Sequence, residues 1–178
     1  MRPTLLVAVL ALASLSSFAA TKSIPDRCIP DVNAGLLSFL HDQSGNPNAQ
    51  LNKVMVCGKA IEASFEQPAT SAGTGAHQVI LLAAPAPDGT TVTIELVMND
   101  ALGGIVSAAT EELVFAYGQA YITSSRDIRL DNIHPLAGIH DTHCATNSYM
   151  DDGWVVVNGR HYPTRAGSQR PRHRSHGH

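Results

Sequence analysis

A small five-stranded β-barrel of the OB type, preceded by one helix, is the fold this chain predicts. Runs rich in β-branched and small residues recur five times between residues 53 and 138, separated by Pro, Gly and Asp turns. The stretch 100–109, which is not strand-like, falls after the third run, where a small Greek-key barrel carries its insertion. Gly58 and Gly118 lie inside two of the runs, where barrel strands bend sharply. The class is therefore mainly β, with a generic β-sandwich as the alternative that strand counting alone leaves open.

In chain order, Asp31 is placed to cap a helix over residues 32–41, in which Val32, Leu36, Leu37 and Leu40 recur at helical spacing. Ser44-Gly45-Asn46-Pro47 ends it, and its expected role is a lid on the core. The first strand spans 53–65, a Pro/Ser/Thr/Gly loop 66–75, and the second strand 76–84, stopped by Pro85 and Pro87 before the Asp88-Gly89 turn. Residues 91–99 give the clearest strand: Val92, Ile94, Leu96 and Met98 alternate with Thr93, Glu95, Val97 and Asn99. The fourth strand is expected over 112–122, a turn over 123–127, and the fifth strand over 128–138.

Residues 1–19 read as a secretory signal, with Arg2 ahead of an apolar run over 5–15 and a small-x-small site at Ser17-Phe18-Ala19. That run is too short to span a bilayer, and no later run is long enough. The expected product is secreted or periplasmic: a barrel domain over 20–164 and a disordered Arg/His-rich tail over 165–178. Within 20–164 there are seven basic against 15 acidic residues. A body that acidic speaks against a phosphate-neutralising groove, so nucleic acid is not the expected partner. Of the three cysteines, Cys28–Cys57 is the expected disulfide, worth about 3 kcal/mol by loop closure, with Cys28–Cys144 as the rival.

Chemistry concentrates in residues 133–162, which hold His134, His140, His143, His161, Cys144 and the single tryptophan, Trp154. In a continuing strand His140 and His143 would face opposite sides, but in a turn they share one. Together with His77, and with Asp141 as a further donor, they form a candidate metal set suited to zinc. Imidazoles that hydrogen-bond the loop onto the barrel, with no metal, are the plainer alternative.

Gly138-Ile139-His140-Asp141-Thr142-His143, followed by Gly153-Trp154, resembles the signature of an uncharacterised family of small exported bacterial proteins. Members carry Gly-Val-Ile-His-Trp-Thr-His and then Gly-Trp. His77-Gln78 and Met98-Asn99 are similar to the family's His-Gln and His-Asn pairs, and the likeness spans residues 51–162. Asp141 stands where the family has tryptophan, and Met98 where it has histidine. The resemblance implies grouping and fold more than activity.

Two functions follow as expectations. One is a binding module whose ligand, small or oligomeric, meets His77, Gln78, Asn99 and Trp154 beside the histidine loop. The other is a metal-dependent hydrolase, a phosphodiesterase or nuclease, using His77, His140 and His143 with Asp141 as base. The sequence has no Gly-x-Ser-x-Gly element for serine chemistry.

Overall fold

The computed structural model describes residues 23–69, 75–123, 132–146 and 152–163. The expected signal and tail lie outside the described residues, as do most of the expected turn at 123–127 and the front of the expected fifth strand. A 3-10 turn (Pro30–Asn33) leads into α1 (Ala34–Asp42), and β1 (Gln50–Ala60), β2 (Phe65–Gln67), β3 (His77–Pro85) and β4 (Thr91–Asn99) follow. Then come α2 (Asp100–Gly103), β5 (Leu113–Ile122), β6 (Ala137–His140), β7 (Trp154–Val157) and β8 (Arg160–Tyr162). Around the ring the order is β1-β3-β4-β6-β5, and β5 pairs back onto β1, closing a five-stranded barrel of the OB type. Only β4 and β6 run parallel within the ring.

Period-two alternation fills the barrel. Val54 and Val56, Ile80 and Leu82, Ile94 and Leu96, Val114 and Ala116, and Ala137 and Ile139 all point inward and are buried. The expected first strand is real but broken. β1 pairs with β5 along most of its length and meets β3 only at Lys59 and Ala60, while β2 continues along β3 after a bend. The fifth strand runs later than expected: Ile133 to Pro135 lie outside it, and Leu136 bonds to Thr93 and Thr123 just ahead of it. An unexpected hairpin, β7–β8, extends the sheet from β5 through Val114↔Val157 to Tyr117↔Trp154. Its turn is Asn158-Gly159, both at positive φ (47° and 84°), the conformation a two-residue hairpin turn requires.

α1 covers the core as expected, burying Leu36 and Phe39 in the barrel cluster. Its start is held differently. Asp31 makes no cap hydrogen bond, whereas the fully buried Asn33 bonds across to the sheet. Asn33 Nδ2 donates to the carbonyls of Cys57 (3.1 Å) and Pro85 (3.0 Å), and Oδ1 accepts from Cys57 N–H at 2.8 Å. The β1–β3 register carried on from Lys59↔Ala83 would set Cys57 opposite Pro85, and proline has no N–H to donate. The Asn33 amide therefore stands in for the missing ladder rung. The expected disulfide joins Cys28 to the same Cys57, and Cys144 is a free, half-buried thiol. Among the described residues no helix is long and apolar enough to cross a membrane.

Candidate functional site

A cleft of about 790 Å³ opens at the barrel rim where β1 and β3 begin and β4, β5 and β6 end. His77, Asn99, His140, Asp141 and His143 all line it. The imidazoles foreseen from distant parts of the sequence thus share one cavity. Its remaining wall, which the sequence did not reveal, includes Asn48, Gln50, Val97, Leu102 and Tyr121.

Strand register brings the first pair together. His77 stands directly opposite Asn99 across β3–β4, and Gln78 opposite Met98. Alternation sends Gln78 to the other face, where it is buried and does not line the cleft. Asn99 does two things, since it lines the cleft while its Oδ1 caps α2 by accepting from Ala101 N–H at 3.0 Å. Trp154 is not in the cleft either. It is buried in a second cluster with Cys57, Phe115 and Val156, its ring 6.1 Å from the Tyr117 ring and nearly parallel to it. His134 and His161 are exposed.

The histidine loop leaves the strand at Asp141, whose φ of 56° is the left-handed conformation that Asp tolerates better than most residues. Gly138, the nearest glycine before the loop, does not supply that departure but sits inside β6. It has a different task, because Glu95, Gly138 and Tyr121 lie in one row across β4, β6 and β5. The Tyr121 ring passes over Gly138 and its hydroxyl donates to the fully buried Glu95 carboxylate at 2.6 Å. A Cβ at 138 would sit 2.0 Å from the Tyr121 Cζ. Tyr121 is thereby fixed, with its ring edge-on to His140 at 5.2 Å.

Asp141 Oδ1 lies 3.5 Å from His140 Nδ1 and 3.8 Å from His143 Nε2. His143 is buried, and its Nδ1 lies 2.8 Å from the Cys144 carbonyl. A carbonyl only accepts, so Nδ1 is the donor, and Nε2 is the ring atom turned toward Asp141. The Nε2 of His140 is buried without a hydrogen-bond partner among the described residues. The expected metal set shares the cleft but does not close on one point: among the described residues no three His, Cys, Asp or Glu side chains are placed to hold an ion.

Burial holds the His140 imidazole below the ordinary 6.5, against the pull of the Asp141 carboxylate, and His143 pushes the same way as burial. Below pH 6.5 the unfolded chain takes up a proton at this position that the folded chain refuses. The stability contributed by neutral His140 is therefore complete above pH 6.5 and lost as pH falls through the depressed value. Urea denaturation between pH 7.5 and pH 5 is expected to show this decline, with a shallower slope in His140→Gln. An unchanged slope in the variant would assign the decline to other groups.

Fold and cleft together define a closed OB-type barrel with a histidine-lined cavity at its rim. Compared with known protein families, characterised proteins and solved structures, the chain matches none.

Proposed function

We propose that this chain is an exported OB-like binding module whose rim cleft recognises a small molecule or a segment of an oligomer. The observation that carries this reading is the shared cleft: His77 from β3, and His140 and His143 at the end of β6, line one cavity with Asn99 and Asp141. Its volume lies within the range of small-ligand sites, and apolar walls with a few converging polar groups are their usual make-up. Export is supported by the signal-like N-terminus and by a disulfide suited to an oxidising compartment. Grouping with the small exported family rests on the histidine and Gly-Trp motifs.

A metal-dependent hydrolase remains the alternative reading of the same histidines. It requires three donors around one ion, a closer convergence than the pairwise approaches to Asp141 provide. Ligand-observed NMR with a fragment library tests the binding role. Hits are expected to shift the imidazole signals of His77, His140 and His143 together and to leave the exposed His134 and His161 unmoved. Replacing Asn99 by alanine is expected to weaken such hits about tenfold, the loss of one good hydrogen bond. Stoichiometric zinc in the purified protein, with hydrolysis lost in both His140→Ala and His143→Ala, would favour the hydrolase instead.

A further inference from the structure

We infer that the cleft selects an uncharged, hydroxyl-rich ligand, a neutral carbohydrate chain, over anions; this rests on the binding role proposed above and narrows it. Charge comes first. Among the described residues none of those lining the cleft is lysine or arginine, and Asp141 is the one carboxylate. A phosphate or uronate would meet that carboxylate with no cation to offset it.

The hydrogen-bonding inventory matches hydroxyl groups. Asn48, Gln50 and His77 each present donor and acceptor atoms from one side chain, and a sugar hydroxyl both donates and accepts. His143 commits Nδ1 to the Cys144 carbonyl and turns Nε2 toward the acceptor-only carboxylate of Asp141. The two oxygens of that carboxylate can accept from a pair of neighbouring hydroxyls.

Part of the lining is apolar. Val97, Leu102 and the Tyr121 ring offer a surface on which the C–H face of a sugar ring can lie. The Tyr121 ring is locked by Glu95 and by the space over Gly138, so it needs no ordering when a ligand arrives. Val97, Asn99 and His77 belong to the second and third strands of the ring, the face OB barrels use for oligonucleotides and oligosaccharides. The acidic body decides between those two against the nucleic acid.

The test is saturation-transfer NMR and calorimetry on the full chain with chitotetraose, cellotetraose, maltotetraose and mannotetraose, beside oligogalacturonate and tetralysine as charged controls. At least one neutral chain is expected to bind. Asp141→Asn, which keeps the left-handed backbone accessible, is expected to weaken it about tenfold. Leu102→Ala, at a side chain 46% exposed and so dispensable for folding, is expected to weaken it about threefold. Binding of a charged control alone, or neutral binding untouched by both variants, overturns the inference. If library fragments occupy the cleft and no neutral chain does, the carbohydrate assignment falls and the binding role stands. If neither binds, both fall.

Discussion

Asn33→Ala is expected to destabilise the protein by about 4 kcal/mol, from three lost hydrogen bonds at a site water does not reach. The side chain is fully buried and serves the N–H and C=O of Cys57 and the C=O of Pro85. Alanine leaves those backbone groups buried and facing one another, and Pro85 has no N–H with which to repair the rung. A domain of this size should lose roughly 10–15 °C in Tm. The disulfide does not rescue it, because Cys28–Cys57 restrains the chain without supplying a donor. Asp31→Ala is the contrast. Asp31 is exposed and makes no cap bond, so it should change stability by less than about 0.5 kcal/mol. Thermal and urea denaturation of both variants decide the matter. A cost under about 1 kcal/mol at Asn33, or a larger cost at Asp31, would mean the helix start is held by capping after all.

Asp31 and Asn33 also illustrate what the sequence can and cannot disclose. Both are good cap residues, and nothing local distinguishes a cap from a side chain that reaches a strand 24 residues on. Alternation was fully legible: residues 91–99 form β4 with Ile94, Leu96 and Met98 inward, as their spacing dictates. The β7–β8 hairpin was legible in principle, since Asn158-Gly159 between Val157 and Arg160 is a strong short hairpin signal. The candidate site divides the same way. His77, Asn99, His140, Asp141 and His143 stand out by residue type and motif, and they share the cleft. Gln78 and Trp154 were not separable from them, because a one-residue step along a strand changes the face, and burial of a tryptophan depends on its neighbours. Tyr121 was out of reach of the sequence. Its place follows from a row across three strands, Glu95, Gly138 and Tyr121, set by a register no single strand encodes.

Gly153→Ala should cost about 2–4 kcal/mol, the upper range of overpacking, and disable the cleft in the same step. A Cβ there would stand 2.0 Å from the Asp141 carbonyl oxygen, 2.8 Å from Thr142 Cα and 2.8 Å from the Tyr117 carbonyl oxygen. All three are backbone atoms, so no rotamer change makes room and the loop or β7 must move. β7 is anchored by Trp154 against Tyr117 and by its ladder to β5, whereas Asp141 and Thr142 lie beyond the end of β6. The loop is the part that yields. Gly153 N–H also donates to the His143 carbonyl at 2.8 Å, so displacement breaks the bond that seats His143. This gives the Gly-Trp pair a physical meaning: the glycine lets β7 press on the histidine loop, and the tryptophan keeps β7 from retreating. The measurable signature is a lowered urea midpoint together with moved imidazole resonances for His140 and His143, while His77, held by its own strand pairing, stays in place. Gly35→Ala controls for loss of glycine as such, since a Cβ there meets nothing within 4 Å and the position is helical. It should leave stability unchanged or raise it by about 0.5–1 kcal/mol. If Gly153→Ala behaves like Gly35→Ala, the close approach is absent in solution, and the histidine loop is not held in the cleft by β7.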